Sequence, residues 1–554
     1  MTDPDPTRLS PGEFLRSQRL PLLVCSALFT AVMLAAVFSV DPAYNYPRLI
    51  TDQLLYYMKA ISFVADGNTT AQTAINAKPF IYAATPGLLR APFIAAFSEF
   101  DDQLRAIQVS NIALAIILGG MSAYIVSWVL PRRLHWIGVC FSFATLLLNP
   151  VWVTNILSPL ADLPYAVASL GGLIVLNRMA LGAEADRRSL ALKILFAFLF
   201  IVAFGCRYTA PVLFLYGWVL FRQQRAGRGI DGASVRYVLL GVGLLALLVA
   251  MDIHTIVSGY LWQPFQFLIN SNKSGIVLNT LAVAVPSQII PGLILLYREP
   301  PASLYRPVFG TNPADMVLVV AGLLITALVV YGMWRGRRSF KAEILYVAMP
   351  LPLIASMIPS TARYLLSYQP LIWLFLYLGI SHLALSSVPS RRWLTGLTTA
   401  GVVFCCVAAG AVLYIRSSRI TGSAKVTISS FSLGESRRHA PEVATTYRSL
   451  RDFLESRPRE RSLVLGDRAT TGQWKVIAGI DYYEPDSALA KIARARDLYM
   501  VMSCQSAVQC SGFDGAVKRR EDRILDYGAF EFDNVFATRN DYSAAIVYRV
   551  RVAN

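Results

Sequence analysis

An aspartate near the start of an amphipathic run, and two arginines that are each followed by a tyrosine, are the residues of this sequence best suited to chemistry. The run reads TDQLLYYMKAISFVADGN from Thr51. Leu54, Met58, Ile61 and Ala65 recur at helical spacing, and Thr51 stands where an N-cap would stand, so Asp52 falls in a first helical turn. Arg207–Tyr208 and Arg363–Tyr364 each sit at the mouth of an apolar run. A carboxylate can take a proton from a hydroxyl, and an arginine fork suits phosphate oxygens. Across one membrane interface they suit a hydroxyl attacking the anomeric carbon of a sugar carried on a lipid phosphate. The carboxylate would take the proton, and the cations would meet the charge growing on the phosphate. That chemistry needs no general acid and no nucleotide fold, and the sequence holds no P-loop.

Each of these residues also has a plainer reading. Asp in a first turn complements the helix dipole. Arg and Tyr both favour the headgroup level and serve as interface anchors. Asp41 is a rival to Asp52: it lies nearer the end of the first apolar run but lacks the helical pattern after it. Asp66, Glu99, Asp101, Asp102 and Asp162 complete the acids expected on the same side.

The elements that must hold these residues are membrane helices. The chain has 554 residues, of which 55% are hydrophobic and 15% charged, with a mean hydropathy of +0.49. A soluble protein would carry roughly 25% charge. Apolar runs of about 20 residues recur through the first 415 residues, so the fold expected is a polytopic α-helical membrane protein. The net charge of +17 could suggest nucleic acid. Much of it sits in short turns between spans, which the positive-inside rule explains, and no basic-aromatic surface accompanies it.

The expected spans are 20–40 (a signal anchor), 107–130, 135–148, 163–176, 190–205, 209–221, 237–258, 314–334, 344–358, a tenth ending near 385, and 393–414. Basic turns such as PRR from Pro131 and RGRRSFK from Arg335 then face the cytoplasm at every crossing. NPVWVTNILSPLADLP is expected to form an outer acidic turn. The apolar segment 275–297 is read as re-entrant or interfacial, because counting it as a span would turn RGRRSFK outward. This gives about eleven spans, with the N-terminus inside and the C-terminus outside. The chain divides into a membrane domain at 1–415, with outer loops 41–105 and 259–313, and an extracytoplasmic domain at 416–554.

The tail changes character. RSLVLGD, DLYMVMSC and SAAIVYRV read as strands, and EVATTYRSLRDFLESR and SALAKIARA as helices, which makes a small α/β domain. Seven cysteines are present. Cys25, Cys140, Cys206, Cys405 and Cys406 lie in or beside spans as small hydrophobes. Cys504 and Cys510 lie close together in the tail and are candidates for a disulfide outside the cytoplasm, with two buried thiols as the alternative. The four histidines are scattered, so no metal cluster is visible.

Three stretches, TDQLLYYMKAISFVADGN, KPFIYAATPGLLRAPF and DDQLRAIQVSNIALAI, resemble the opening of the GT-C membrane glycosyltransferases, which include the protein O-mannosyltransferase and aminoarabinose transferase types. There an Asp or Glu follows the first span, and a pattern D-x-x-x-Y…G…P…P…R leads into the second. Asp52, Tyr56, Gly67, Pro79, Pro86 and Arg105 fit it. STARYLLSYQP resembles the late Arg-Tyr segment before an outer-leaflet helix, and SPLADLP resembles a second-loop acidic position, Asp162. The resemblance covers about residues 20–385. It implies a polyprenyl-phosphate-linked sugar donor, inversion at the sugar carbon and an active site on the outer face of the cytoplasmic membrane. It assigns the general base to Asp52 and the donor phosphate to Arg363, Arg207 and Tyr364. Asp162, Tyr56 and Lys59 fall to the acceptor side, with a glycan, lipid or protein acceptor. Where the family often has two adjacent acids, Asp52 is followed by Gln53, so no metal or other cofactor is expected to be required. The rival functions are a transporter or flippase, and a polymerase or ligase, of lipid-linked saccharides. A transporter usually shows internal repeats and paired broken helices, and no clear repeat is seen.

Overall fold

The computed structural model describes residues 9–39, 41–43, 51–64, 84–158, 160–181, 186–207, 209–224, 280–289, 313–356, 364–387, 440–466, 473–504, 513–540 and 543–553, with the single positions 241, 243, 246 and 250.

The first part is a helical bundle. Its helices are α1 (Pro11–Ser17), α2 (Arg19–Ser39), α3 (Thr51–Val64), α4 (Ala84–Ala96), α5 (Phe100–Val126), α6 (His135–Leu148), α7 (Pro150–Leu157), α8 (Asp162–Leu181), α9 (Asp186–Cys206), α10 (Val212–Gln224), α11 (Pro313–Gly336), α12 (Lys341–Ala348), α13 (Leu351–Ser356) and α14 (Gln369–Ser387). Among the described residues, four of these are long and apolar enough to cross a membrane: Arg19–Phe38, Phe100–Val126, Asp162–Ala180 and Val319–Gly336. Their outward faces stay apolar. Leu20, Leu23, Val24 and Leu28 of α2 are exposed, as are Leu190, Ile194, Phe198 and Ile201 of α9 at helical spacing. Exposed apolar stripes on this scale mark an integral membrane protein. Spans expected at 237–258 and 393–414 lie outside the described residues, apart from the four single positions.

Small residues set the tightest crossing. A Cβ on Gly332 would strike the Phe375 carbonyl and one on Gly379 that of Leu328, so α11 and α14 meet backbone to backbone. Gly322 lets the Ala282 carbonyl approach in the same way. Residues 280–289 form a π turn (Thr280–Ala284) running into a short helix, almost wholly buried against α11. The Gln288 carbonyl accepts from Gln369 Nε2 at 2.8 Å and from Trp373 Nε1 at 2.7 Å. Irregular backbone inside an apolar bundle is tolerated where protein satisfies it like this.

Several expectations are corrected. The outer turn after α6 is helical: α7 is a buried helix, and its last carbonyls are met by α5. Gln108 Nε2 donates to the Leu157 carbonyl at 2.8 Å, and Asn111 Nδ2 to those of Ile156 and Ser158 at 3.1 Å. Capping from another helix replaces the missing intrahelical bonds, a relation no local pattern displays. The second long helix starts at Phe100 rather than near 107. The span expected at 344–358 is broken into α12 and α13 around Met349 and Pro350, since Pro350 lacks the amide a helix interior needs.

The tail is an α/β domain. Its helices are α15 (Ala440–Glu455), α16 (Gln473–Ala478), α17 (Leu489–Ala495) and α18 (Phe513–Leu525), and its strands β1 (Ser462–Leu465), β2 (Asp481–Tyr483), β3 (Asp497–Cys504), β4 (Phe530–Arg539) and β5 (Ala544–Val552). The order is β2-β1-β3-β5-β4, parallel across β2-β1-β3 and antiparallel across β3-β5-β4. Strand alternation divides the core. Leu463, Leu465, Leu498 and Met500 face α17 and α18, while Val464, Tyr499, Val501 and Val547 face α15 and α16. The three strands read from sequence are β1, β3 and β5. β2 is too short to show a pattern, and β4 alternates on either side of a bulge between Asn534 and Phe536 that breaks its period.

The second of these cores continues into the membrane part. Ala43, Leu54, Tyr57 and Met58 belong to the same buried cluster as Tyr447, Leu450, Trp474 and Ile477. Leu55 and Tyr56, on the other side of α3, belong to the bundle core. The apolar stripe of α3 therefore faces a core shared by the tail domain with Phe93 and Ile94 of α4 and Phe100, Leu104 and Ile107 of α5, and not a membrane surface. Periodicity shows that a face is covered without showing by what. Burying Leu54 and Met58 here is worth about 1.5–3 kcal/mol each.

Candidate active site

One end of the bundle gathers most of the residues singled out by sequence. α8 begins there with Asp162, α9 ends there, and the turn Leu365–Tyr368 leads into α14 there. Asp162 is buried and forms an ion pair with Arg207. The Arg207 guanidinium lies 4.0 Å from the centre of the Tyr364 ring, a cation–π contact that a cation clear of bulk water makes strongly. Below them, Tyr165 accepts a hydrogen bond from Thr209 Oγ1 at 2.9 Å and lies 3.4 Å from the Tyr368 hydroxyl. Nε of Arg207 is buried with no hydrogen-bond partner among the described residues.

The next group adjoins this one. Arg90 of α4 is buried, and its Nη2 donates at 2.8 Å to the carbonyl of Leu160, two residues before Asp162. Its Nη1 donates to the Pro86 carbonyl at 2.5 Å. The guanidinium lies 5.7 Å from the ring centre of Tyr56 on α3. Burial pushes Arg90 down to about 10, opposed by the nearby Tyr56 hydroxyl, so it stays charged at neutral pH. Lys59 is also buried on α3, with its stem against Gly87 of α4, where a Cβ would come within 3.0 Å of Lys59 Cγ. Gly205, beside Arg207, lies so close to Thr85 that a Cβ there would meet the Thr85 hydroxyl. α3, α4 and the facing ends of α8 and α9 thus close into one neighbourhood.

The fold brings together Asp162, Arg207, Tyr364, Tyr56 and Lys59, all expected at the site from sequence. It also pairs Asp162 with Arg207, which the sequence had set on opposite sides of the reaction. Asp52 is the second residue of α3, in the first turn as expected; its side chain lies outside the described residues, as does Arg363. Asp41 is engaged elsewhere: Arg448 Nη2 donates to both of its oxygens at 2.7 Å, and the Ala43 amide donates to Oδ1 at 3.0 Å. Arg105 stands 5.9 Å from the Phe38 ring centre, an anchor at the end of α2. Cys504 is disulfide-bonded; Cys510, its expected partner, lies outside the described residues.

Arg90, Tyr165, Thr209 and Tyr368 were missed. Arg90 carried a signal, a lone cation inside the apolar run ATPGLLRAPF, which is costly unless something holds it. The hydroxyls of Tyr165, Thr209 and Tyr368 carried none, because their proximity is made by three separate segments.

The opposite end is basic. Arg222 lies 5.7 Å from the Trp218 ring centre, and Arg335 and Arg337 lie 5.7 and 4.7 Å from that of Trp334. Gln223 Nε2 reaches the Arg338 carbonyl at 3.4 Å, which places the ends of α10 and α11 together.

No protein-family model matches the chain, and no curated protein matches it. Among solved structures it is similar to the aminoarabinose transferase ArnT from Cupriavidus metallidurans bound to undecaprenyl phosphate, at 13% identity over 94% of this chain and 97% of that one, with a TM-score of 0.47. It is also similar to the Archaeoglobus fulgidus oligosaccharyltransferase in its apo form, at 11% identity over 87% of this chain and 69% of that one, with a TM-score of 0.47. The AglB oligosaccharyltransferase of the same organism, in complex with an inhibitory peptide and a dolichol-phosphate, is 9% identical over 93% of this chain and 73% of that one, with a TM-score of 0.46. Likenesses this distant carry no weight for activity, which has to be argued from the residues.

Proposed function

We propose that the chain is an integral membrane glycosyltransferase of the GT-C type, moving a sugar from a polyprenyl-phosphate donor to an acceptor hydroxyl. What supports the reading most is the single neighbourhood holding Tyr56, Lys59, Arg90, Asp162, Arg207 and Tyr364 beside the first turn of α3. The end of the bundle carrying it also bears the soluble domain, while the exposed cations gather at the other. By the positive-inside rule the site then faces outward and the basic end faces the cytoplasm, with about eleven spans in all.

In the proposed step, the Asp52 carboxylate takes the proton of the acceptor hydroxyl as its oxygen attacks the anomeric carbon. The bond from that carbon to the phosphate oxygen breaks, and its electron pair stays on the lipid phosphate. Attack opposite the leaving group inverts the centre. Arg363 and Arg207, with Tyr364 stacked on Arg207, meet the charge developing on the phosphate. Asp162 holds Arg207 in place, and Tyr56 and Lys59 line the acceptor side. A phosphate leaves well once its charge is met, so no cofactor enters the step.

The test is sugar transfer from labelled polyprenyl-phosphate donors by the reconstituted chain, wild type against Asp52→Asn. The swap keeps size and removes the charge; a loss of at least about a hundredfold, with donor binding retained, supports a general base. Equal transfer by both would make Asp52 a helix cap. Donor lipid crossing liposome bilayers with no transfer would favour a flippase instead.

A further inference from the structure

We infer that the soluble domain positions α3, with Arg448 and Arg451 as positioning residues, and so sets where Asp52 stands; the catalytic half of this rests on the function proposed above. The two arginines lie three positions apart on α15 and share one face of that helix. Arg448 holds both oxygens of Asp41, in the segment that leads into α3, at 2.7 Å. Arg451 reaches Asp101 and Glu99, at the start of α5, at 3.4 Å each, and is steadied by Glu455 at 2.8 Å. α5 in turn holds α3, because Gln103 accepts from the Tyr57 hydroxyl and Phe100 packs 5.2 Å from the Tyr57 ring centre. One tail helix therefore ties the chain before α3 to the helix that packs beside it.

Between these ties α3 is gripped on two sides, by Leu55 and Tyr56 in the bundle core and by Leu54, Tyr57 and Met58 in the tail core. The apolar contacts hold the domains together. The directional arginine contacts fix how α15 sits along them, because an ion pair that solvent still reaches constrains geometry more than it adds strength. A helix held by both partners cannot keep its place if one partner slides. Displacing a catalytic group by about 1 Å can cost a hundredfold in rate.

The experiment uses the full chain in lipid nanodiscs and compares wild type, the double variant Arg448→Ala with Arg451→Ala, and the charge swap Arg448→Asp with Asp41→Arg. Hydrogen exchange is read on α3 and, as a folding control, on β3. Transfer from a labelled polyprenyl-phosphate sugar is read as kcat and KM. The expected result for the alanine pair is exchange on α3 at least about tenfold faster with β3 unchanged. Alongside it, kcat should fall about tenfold or more while KM for the donor stays within about twofold. The charge swap should bring both most of the way back. Unchanged α3 exchange and kcat, with β3 protected, would overturn the inference. If β3 also loses protection, the swap decides: failure to restore α3 counts against positioning. Absence of transfer by the wild type would sink the proposed function alone, since the exchange readout still reports whether the tail holds α3.

Discussion

The two ends of the bundle handle charge by different rules. At the end bearing the α/β domain, two cations of the bundle are taken out of water and given specific partners: Arg207 a carboxylate and an aromatic face, Arg90 two backbone carbonyls. At the opposite end Arg335 and Arg337 are exposed and lie over Trp334. A solvated cation at a membrane edge costs little and mainly sets orientation. A buried one costs several kcal/mol unless matched, so it persists only where a geometry or a reaction needs it. The difference directs attention to the first end without any motif being invoked.

Mutations can break this contrast, and the largest effect should come from the buried pair. Asp162→Asn strands a buried guanidinium and should cost about 3–5 kcal/mol, read by denaturant unfolding in bicelles. Removing both partners, as Asp162→Leu with Arg207→Met, should recover most of that stability while abolishing activity. Arg90→Met comes next. It leaves the Leu160 carbonyl without the Arg90 donor, at about 1–3 kcal/mol, and takes only a second donor from the Pro86 carbonyl, which keeps its bond within α4. Arg337→Ala at the far end should stay within about 0.5 kcal/mol; a loss as large as that for Arg90 would erase the distinction between the ends.

The smallest effect sharpens the comparison on the soluble domain, where charge is again solvated. Asp486 accepts from the Tyr483 hydroxyl at 2.5 Å and from the Ala488 amide at 2.8 Å. These bonds, the Tyr483 one foremost, hold its carboxyl below the usual range. A lowered carboxylate adds stability that is present above its unfolded value and lost as pH falls through its folded one. Asp486→Asn should therefore lower the thermal midpoint slightly at neutral pH, and the gap from wild type should close below about pH 4. A gap that persists in acid would show that the side chain acts through shape and not charge.

What could be read from sequence follows from what local patterns carry. Hydropathy over about 20 residues located α2, α8 and α11, because a bilayer demands length and apolarity from one continuous segment. Alternation found β1, β3 and β5, which are buried on a pattern the chain itself displays. Arg207 and Arg363 stand out because a charge at the mouth of an apolar run is costly wherever it sits, Tyr364 because it follows Arg363, and Asp162 because SPLADLP resembles a family position. Arg90 carries the same signal, and α7 shows no helix signature of its own because its cap comes from Gln108 and Asn111 on another helix.

Composition and spacing are enough to mark a membrane protein with an α/β tail, to make α3 amphipathic, and to pick out the charged residues that need an explanation. Each of those follows from composition or from spacing within one element. Packing settles the rest: α3 is covered by the tail together with α4 and α5, Asp41 belongs to Arg448, and Asp162 neutralises Arg207. It also decides that Arg90 joins α4 to the turn before α8. Those are contacts between segments far apart in the chain, and the partner of a buried charge is chosen by packing, which no single stretch of sequence contains.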